Sequence, residues 1–399
     1  MSSQRQCVQG GSSTQAIHAD IPFAQTSDVA PPIHTATTFC YSSDPDKLVP
    51  AADLESEIPT GQYIYSRLSS PNTTRLEAIL TSLLHAPSLV YSSGLSAAHA
   101  ALVCLNPKRV SIGNGYHGVH GVLDIMTRLN GMKQLPLNCN AEELSEGDVV
   151  WLETPVNPDG ISFNIKEYAE KAHSRGAYLV IDSTFAPPGL QDPFEFGADM
   201  VMHSGTKYIG GHSDMLCGVL ATHDKKWLHT LAEDRLLLGS VMGSLEGWLG
   251  IRSLRTLDVR VARLSQNAGN LVSWIHESLN SSEPSEDDKV IQTVVESITH
   301  SSLQKDDMEW LSKQMPNGFG PVFSIVLKTE NAARRLPSKL KLFSHATSLG
   351  GVESLIEWRA MSDTTVDRRL LRLSIGLENW EDLKADLLSG FKALARESA

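Results

Sequence analysis

The sequence predicts an α/β protein in which a large domain with a mostly parallel sheet precedes a smaller C-terminal α/β domain. Three observations favour this fold class. Short apolar runs alternate with helical stretches along the middle of the chain, as in a parallel sheet covered by helices on both faces. At 399 residues, the chain can form one large unit or two domains with a sizeable core. Near residue 254 the alternation gives way to one long helical stretch, which indicates the second domain.

The amino-terminal region, residues 1–66, has little periodic pattern. Several of its prolines, at positions 31, 32, 45, 50 and 59, favour turns and extended chain over regular helices. We therefore predict an extended arm in this part of the chain.

The large domain is predicted to span residues 67–255. It begins with a helix at residues 73–85, in which leucine and isoleucine recur with a period close to 3.6. Further helical segments, such as residues 96–105 and 165–176, separate the apolar runs. Those runs are predicted strands, at residues 89–93, 109–113, 148–153, 177–183 and 199–204.

The smaller domain is predicted to span residues 256–399. A long helical stretch at residues 255–279 leads into the polar segment NSSEPSEDDK, residues 280–289, which we interpret as a loop or an insertion. Two strand-like runs follow, at residues 319–328 and 366–378.

Composition and charge disfavour several classes of protein. Hydrophobic residues make up 41% and charged residues 20% of the chain, as in a soluble globular protein. The net charge of −12 disfavours binding to nucleic acid or to an anionic membrane. The first residues lack the apolar stretch of a secretory signal, and no apolar run has transmembrane length. The five scattered cysteines fit a reducing compartment, so we expect a cytoplasmic protein.

Chemically useful residues follow the predicted strands. In open α/β sheets, ligands bind beyond the carboxyl ends of the strands. Taken singly, each residue found there has an ordinary interpretation, as a turn glycine, a packed aromatic, a turn former, a helix cap or a surface lysine. In chain order they are Gly94 at a helix start, Tyr116 in a glycine-flanked turn, Asn157 in an Asn-Pro step, Asp182 at the end of an apolar run, and Lys207 after two small hydroxyl residues.

Together these residues match the requirements of one cofactor, pyridoxal phosphate. The cofactor needs a lysine for its Schiff base, an acid beside its pyridine nitrogen, an anion cradle for its phosphate and a flat partner for its ring. Small hydroxyl residues next to the lysine leave room for a phosphate and can donate hydrogen bonds to it. The candidates for these roles are Lys207, Asp182, the helix start at Gly94 with Ser204 and Thr206, and Tyr116.

Other ligand types have weaker support. Lys207 does not belong to a nucleotide-binding phosphate loop, because the required second glycine and the following Ser or Thr are missing. His117 and His120 lie three residues apart without a third ligand at a typical spacing, so we predict no metal site. No Gly-x-Gly-x-x-Gly motif follows a strand, which argues against a dinucleotide-binding fold. We interpret four further arginines as a solvated or intersubunit helix face: Arg252, Arg255, Arg260 and Arg263.

Several longer motifs match those of a known family: YSRLSSPNTTRLE, YSSGLSA, ETPVNP, IDSTFAPP, ADMVMHSGTKYIGGHSD, SLGGVESLIE and RLSIGLE. On these motifs the chain resembles the Cys/Met-metabolism family of fold type I pyridoxal-phosphate enzymes, which includes cystathionine γ-synthases and γ-lyases. The resemblance extends from about residue 14 to residue 380. It implies an aminotransferase-like fold and a homotetramer, built as a dimer of dimers, in which the active site is shared between subunits.

The resemblance also implies a role for each matching residue. Lys207 forms the Schiff base and shuttles protons, Asp182 pairs with the pyridine nitrogen, and Tyr116 stacks on the ring. The phosphate is bound by Gly94, Leu95, Ser204 and Thr206 and, from the neighbouring subunit, by Tyr65 and Arg67. The remaining assignments concern the substrate: Asn157 and Arg372 hold its carboxylate with help from Ser348, Asn157 also contacts the cofactor, and Glu353 and Tyr65 contribute to substrate binding.

Four positions depart from the family pattern. Ile64 stands where the family often has an acid, which helps to recognise the amino group of cysteine or cystathionine, so a nucleophile without an amino group is favoured. Trp358 and Arg359 replace the His-Pro of the usual Glu-His-Pro-Ala, a form that resembles a fungal subgroup of synthase-like enzymes, some of which serve secondary metabolism. Leu95 replaces a methionine, which is a mild change.

The implied reaction is γ-substitution on an O-acyl-L-homoserine through a vinylglycine-type ketimine. The nucleophile is a thiol or a carbon nucleophile such as the β-keto acid acetoacetate, which would give a pipecolate-type product. Cystathionine γ-synthase proper and cystathionine or methionine γ-lyase are the alternatives, and a catalytically silent scaffold is an alternative from another class. The motifs do not choose among the acyl groups, the nucleophiles, or substitution and elimination.

Overall fold

Two β-sheets organise the part of the chain that the computed structural model describes, residues 10–50 and 63–398. The first sheet forms the large domain and lies under helices on both faces. Its strands are β1 (Ser88–Tyr91), β2 (Arg109–Ile112), β3 (Lys133–Pro136), β4 (Val149–Glu153), β5 (Tyr178–Asp182), β6 (Met200–Ser204) and β7 (Gly218–Thr222).

The first sheet is mostly parallel, as predicted. Its strand order is β1-β7-β6-β5-β4-β2-β3, and only β7 runs antiparallel to its neighbours. The central strands are buried along almost their whole length because helices cover both faces, which explains their unbroken apolar sequences. All five predicted strands of this domain are present within one or two residues of their predicted ends. Strands β3 and β7 were not predicted. The sequence of β3, KQLP, is short and largely polar, whereas β7 lies in an apolar run, residues 215–221, that was overlooked.

The helices of the large domain pack their apolar faces onto this sheet and onto one another. The amphipathic pattern at residues 73–85 forms α2, whose leucine and isoleucine side chains are buried. Helix α2 packs against α7, and α3 packs against α6 and the sheet. These helices are α2 (Pro71–Leu83), α3 (Gly94–Leu105), α4 (His117–Asn130), α5 (Ile165–His173), α6 (Lys225–Leu238) and α7 (Ser244–Leu254).

The second sheet forms the smaller C-terminal domain. Its order is β10-β11-β12-β9-β8, with one parallel pair, β10 and β11. A separate apolar core, including Phe323, Leu371 and Phe391, lies between this sheet and its helices. The strands are β8 (Val295–Thr299), β9 (Val322–Leu327), β10 (Ser344–His345), β11 (Leu355–Trp358) and β12 (Leu370–Ser374), and the helices are α8 (Leu257–Asn280), α9 (Glu286–Val294), α10 (Met308–Gln314), α11 (Glu330–Arg335) and α12 (Trp380–Ser398).

The polar segment at residues 280–289 was interpreted as a loop or an insertion, and a loop along its whole length is wrong. Helix α9 begins inside it, at Glu286. Ser285 caps this helix by accepting a hydrogen bond from the backbone N–H of Asp288, and the Asp288 carboxylate accepts one from the N–H of Ser285. The acidic residues of the first turn are therefore helix-stabilising rather than loop-forming.

The amino-terminal arm contains a short helix, α1 (Ser12–His18). It is followed by Asp20, a buried carboxylate that pairs with Arg75 at 2.6 Å and with Arg255 at 2.8 Å. This clamp ties the arm to α2 and to the end of α7. Because Arg255 binds Asp20 and Arg260 is buried, the interpretation of the arginine cluster as a solvated or intersubunit face is wrong for these two residues.

Within residues 10–50 and 63–398, none of the helices has both the length and the apolar character that crossing a bilayer requires. The predicted domain limits at residues 66 and 255 remain predictions, and part of the predicted arm, residues 1–9 and 51–62, lies outside the described residues.

Candidate active site

A cavity of about 420 Å³ lies between the carboxyl ends of the first sheet and strands β11 and β12 of the second sheet. This is the position at which an open α/β sheet binds its ligands. Most of the residues singled out in the sequence line this one cavity. They are Gly94, Leu95, Tyr116, Asn157, Asp182, Ser204, Thr206, Lys207, Ser348 and Arg372.

Lys207 follows β6 and extends into the middle of the cavity. Its Nζ donates a hydrogen bond to Ser348 Oγ at 2.9 Å. Burial and, to a lesser degree, the positive charge of Arg372 lower the pKa of the Lys207 ammonium to about 8, and the charge of Glu357 opposes this shift. The amine is therefore partly neutral near physiological pH, which is the form that attacks a carbonyl carbon.

Asp182 and Glu153 stand side by side at the ends of β5 and β4, where they are register partners. Asp182 accepts a hydrogen bond from the Thr184 backbone N–H at 3.0 Å. Glu153 accepts from the backbone N–H groups of Tyr116, at 2.8 Å, and Asn157, at 2.7 Å. Burial raises the pKa of both carboxyls, and the charge of Asp182 raises that of Glu153 further. The two carboxyls favour a cation nearby, because a positive charge would stabilise their ionised forms.

The start of α3 forms one end of the cavity. Ser93 caps the helix by accepting from the Ser96 N–H at 3.1 Å, and the first helical N–H groups, those of Gly94 and Leu95, have no partner within the helix. A Cβ on Gly94 would lie only 3.0 Å from Ser204 Cβ and Oγ, so the gap between them requires glycine. Helix N–H groups and a serine hydroxyl that converge on one space suit a phosphate.

Tyr116 immediately precedes α4, and its ring is about 40% exposed in the cavity wall. The ring passes close to the first turn of the helix, where a Cβ on Gly118 would lie 2.5 Å from a ring carbon. The Glu153 carboxylate fixes the backbone at this point. An aromatic face on the cavity wall next to the Asp182 carboxylate suits a flat heteroaromatic ring.

Arg372 lies in the middle of β12, on the other side of the cavity. Its Nη1 donates to Asn157 Oδ1 at 3.0 Å and its Nη2 to the Ser348 carbonyl at 2.7 Å. It also forms an ion pair of 2.5 Å with Glu357, its register partner on β11. Burial lowers the pKa of the Arg372 guanidinium to about 10. These contacts hold a cation next to Lys207, where the carboxylate of an amino acid can bind.

The sequence analysis did not assign site roles to four residues that line the cavity: Glu153, Thr184, Glu357 and Arg359. The sequence did contain a signal for a site role of Glu153 and Thr184, because Glu153 ends a predicted strand and Thr184 follows Asp182 by two residues. Glu357 and Arg359 were noted only as part of an unusual motif. Both are buried, with 2% and 3% of their surfaces exposed.

Three residues with expected site roles do not line the cavity of their own chain. Tyr65 is exposed and pairs with Thr38 in an isolated antiparallel bridge. Arg67 is exposed as well and lies over the Tyr65 ring, 5.5 Å from its centroid. Glu353 instead accepts a hydrogen bond from Ser213 outside the cavity. The first two were expected to act on a neighbouring subunit.

The residues around the cavity fit pyridoxal phosphate. Lys207 would bond to its aldehyde carbon, Asp182 would face its protonated nitrogen, and Tyr116 would cover its ring. The gap between Gly94 and Ser204, which a Cβ would fill, would take its phosphate. Each requirement of the cofactor thus has a partner with matching charge or shape.

Comparisons with known proteins agree with this geometry. A model of the family described as Cys/Met metabolism PLP-dependent enzyme matches residues 13–392. Cystathionine gamma-lyase of Saccharomyces cerevisiae is 31% identical over 404 residues, covering 95% of this chain and 96% of the yeast protein. Cystathionine gamma-synthase of Mycobacterium tuberculosis is 33% identical over 410 residues, covering 97% of this chain and 99% of the mycobacterial protein.

Solved structures show the same architecture. The structure of cystathionine gamma synthase from Xanthomonas oryzae pv. oryzae in complex with aminoacrylate and cysteine matches with a TM-score of 0.83 at 28% identity, and the match covers 96% of this chain and 98% of that one. The predicted fold class is therefore confirmed. A lyase and a synthase are similar to the chain to nearly the same degree, so similarity alone does not choose between elimination and substitution.

Proposed function

Because the chain belongs to the Cys/Met-metabolism family of pyridoxal-phosphate-dependent enzymes, we propose that it replaces the γ-substituent of an O-acyl-L-homoserine with a thiol or a carbon nucleophile. Its cofactor is pyridoxal 5′-phosphate, which when bound withdraws electrons from the carbons of an attached amino acid. The coarser function, substitution or elimination in cystathionine metabolism, is what the relatives share. The choice of substitution and of nucleophile is our proposal.

The observation that carries the proposal is the connection between Lys207 and Arg372 through Ser348. The Ser348 hydroxyl accepts from Lys207, at 2.9 Å, and its carbonyl accepts from Arg372, at 2.7 Å. An amino acid whose α-carboxylate binds Arg372 therefore has its Cα and Cβ hydrogens close to one amine. With a pKa of about 8, that amine can both take and return a proton near neutral pH.

The other residues of the cavity would hold and orient the cofactor and the substrate. Asn157, buried and bonded to Arg372 at 3.0 Å, would complete the carboxylate site. Asp182 would keep the pyridine nitrogen protonated, and Tyr116 would keep the ring in place. The helix start at Gly94, together with Ser204, would bind the phosphate. These tasks leave Lys207 as the one group that moves protons.

The bond changes balance in the proposed reaction. Lys207 takes the Cα proton of the bound homoserine ester and gives it up to a carbon that the cofactor would supply, so the amine is neutral again and can take one Cβ proton. The Cγ–O bond then breaks, and the acyl group leaves as a carboxylate. The nucleophile loses its own proton and forms a bond to Cγ. Protons then return to Cβ and Cα. One base suffices because the proton transfers follow one another.

A carbon nucleophile is favoured over cysteine by the residue at position 64. Ile64 offers no carboxylate for an amino group, whereas the family often has an acid there. A β-keto acid such as acetoacetate has no amino group to satisfy. Its addition at Cγ would give a keto-amino acid, and the amine of that product can close on its ketone to form a pipecolate-type imine.

The alternative is γ-elimination, which releases a 2-oxo acid and ammonia. The 31% identity to a yeast cystathionine gamma-lyase supports it. Elimination and substitution begin with the same proton transfers and differ in whether a nucleophile reaches Cγ. The alternative therefore uses the same residues, and only the products distinguish the two.

We also propose that the site is completed by a second copy of the chain. Tyr65 and Arg67 are exposed here, one aromatic and one cationic. In the resemblance they reach the phosphate of the neighbouring subunit. The proposed assembly is a dimer of dimers, and its mass in solution can be measured by light scattering.

The proposed function is tested with purified protein, added cofactor and O-acetyl-L-homoserine, alone and with cysteine, sulfide or acetoacetate, with products identified by mass spectrometry. We expect a visible cofactor band and a γ-adduct with acetoacetate. If cysteine is the only nucleophile that gives a γ-adduct, the product is cystathionine, the enzyme is a synthase, and the argument from Ile64 is refuted. Formation of 2-oxobutanoate and ammonia as the main products would favour the lyase. A protein that stays colourless with added cofactor would favour a silent homologue.

A further inference from the structure

Arg359 is a buried cation with unused hydrogen-bond donors. Only 3% of its surface is exposed, yet it lines the cavity. Among the described residues, its Nε and Nη2 have no hydrogen-bond partner. A buried guanidinium N–H without a partner is unfavourable. Because Arg359 lines the cavity, its unpaired donors point to a ligand there.

The carboxylates around Arg359 do not use these donors. Glu357 Oε2 accepts from Arg359 Nη1 at 3.0 Å and also forms the 2.5 Å ion pair with Arg372. Its Oε1 is bonded to the Ser362 hydroxyl at 2.6 Å. Asp363 lies 3.5 Å from Arg359 Nη2, which is an ion-pair distance without a hydrogen bond. One carboxylate thus serves two guanidiniums, and the fork of Arg359 remains free for a second carboxylate.

The position of Arg359 separates its ligand from the amino-acid substrate. A second cavity of about 740 Å³ adjoins the first and shares His117, Asn157 and Ser362 with it. Asp363, the ion-pair partner of Arg359, lines this second cavity. Arg359 thus lines the first cavity and pairs with a residue of the second, whereas Arg372 is bonded to Ser348 beside Lys207. A carboxylate at Arg359 is a different one from the α-carboxylate held by Arg372.

We propose that Arg359 recognises a second carboxylate, carried by the nucleophile that enters through the adjoining cavity. This inference rests on the proposed γ-substitution and names the substrate class of the same site: a nucleophile that bears a carboxylate. A dicarboxylic acyl group on the homoserine, such as succinyl, presents the same chemistry on the leaving group. The two sources are separated by experiment.

A purely structural role makes a different prediction. If Arg359 only joins Glu357 and Asp363 and so fixes the turn after β11, then its loss affects charged and uncharged nucleophiles alike. The discriminating quantity is the ratio of kcat/KM for acetoacetate to that for acetoacetamide, which has the same shape without the charge.

The variants are Arg359→Met and Arg359→Lys, with Arg368→Met as the matched control. Arg368 is exposed, pairs with Glu330 at the surface and lines neither cavity. We expect Arg359→Met to lower the acetoacetate-to-acetoacetamide ratio about 100-fold, the size expected when a buried charge pair loses one partner, and Arg359→Lys to restore part of it. The control should keep the wild-type ratio. An equal loss for both nucleophiles, or an unchanged ratio, overturns the proposal.

The source of the carboxylate is found by comparing O-succinyl-L-homoserine with O-acetyl-L-homoserine in the same variants. A loss confined to the succinyl ester assigns the carboxylate to the leaving group and corrects the assignment to the nucleophile.

A binding measurement keeps this test separate from the proposed function. Acetoacetate is titrated calorimetrically into the cofactor-loaded protein saturated with L-alanine, which occupies the Arg372 site but has no γ-leaving group. Binding to wild type that weakens in Arg359→Met supports the inference even if no γ-adduct forms, in which case only the proposed reaction fails. Equal binding to both proteins, or no binding to either, refutes the inference even if the reaction occurs.

Discussion

The two walls of the cavity differ in charge and in construction. The cofactor wall, formed by the start of α3 and the ends of β4, β5 and β6, carries the carboxylates Glu153 and Asp182. The substrate wall, formed by β11, β12 and the turn after β11, carries Arg359 and Arg372, which share the carboxylate of Glu357. Lys207 extends between them. One wall is suited to a cationic ring nitrogen, the other to anionic groups of substrates.

Burial shifts the pKa values on the two walls in opposite directions. It raises those of Asp182 and Glu153 and lowers that of Arg372, because in each case the charged form loses water. Each wall therefore gains when a ligand of opposite charge binds. The difference teaches that cofactor and substrate recognition are separable in this chain, and variants on the two walls should change different kinetic quantities.

The largest effect is expected at Lys207, which serves both walls. Lys207→Ala removes the only amine placed to move protons between them in the described part of the chain. We expect kcat to fall at least about 10⁴-fold, the upper range for a lost general acid–base group, together with loss of the covalent cofactor band in the visible spectrum. Lys226→Ala, at an exposed lysine of α6, is the control and should retain both. A Lys207→Ala protein with substantial turnover would contradict the assignment.

The next largest effect is expected on the cofactor wall. Asp182→Asn keeps the shape but removes the charge that would hold the ring nitrogen protonated. We expect kcat to fall about 10²–10³-fold, as when one preorganised electrostatic partner is removed. The KM for the amino acid should change little, because Arg372 is untouched. Steady-state kinetics at saturating cofactor measure both quantities, and a change confined to KM would show that the walls are not separate.

On the substrate wall, Arg372→Met should act mainly on binding. Loss of the buried guanidinium removes the partner of the α-carboxylate and leaves Glu357 with Arg359 alone. We expect KM for the amino acid to rise about 100-fold, in line with the truncation of one partner in a buried charge pair, while the cofactor band stays. Arg372→Lys should recover part of the loss, since it keeps the charge but not the fork. If the Arg372→Met protein lost its cofactor, cofactor binding and substrate binding would not be separable on the two walls.

The two walls also differ in how far the sequence predicts them. The cofactor wall was readable because parallel strands end at the same edge, so residues that follow β4, β5 and β6 must lie close together. The substrate wall depends on the register of β11 against β12, which places Glu357 beside Arg372. That pairing is antiparallel and nonlocal, and no spacing in the sequence encodes it. Arg359 therefore appeared only as a departure from a motif.

The errors outside the site have several causes. Strand β7 lies in an apolar run that was overlooked, and helix α9 begins inside a polar segment whose acidic residues were interpreted as a loop or an insertion. The buried Arg260 was misjudged because its partners, the carbonyls of Tyr208 and Ser253, are brought to it by packing. From the sequence alone, a charged residue in a helix is predicted to be solvated, because the acceptors that could bury it are known only once the fold is known.

The smallest expected effect links the walls through pH. Lys207 attacks the cofactor aldehyde as a neutral amine, and burial and the charge of Arg372 lower its pKa to about 8. The rate of cofactor attachment to the cofactor-free protein should therefore rise about tenfold per pH unit well below 8 and level off above it. Removing the positive charge in Arg372→Met should raise the Lys207 pKa and move this profile to higher pH, whereas Arg372→Lys should leave it in place. Stopped-flow absorbance at several pH values measures the profile. If Arg372→Met and Arg372→Lys give the same midpoint as wild type, the substrate wall does not act electrostatically on Lys207, and desolvation by the cavity alone sets its basicity.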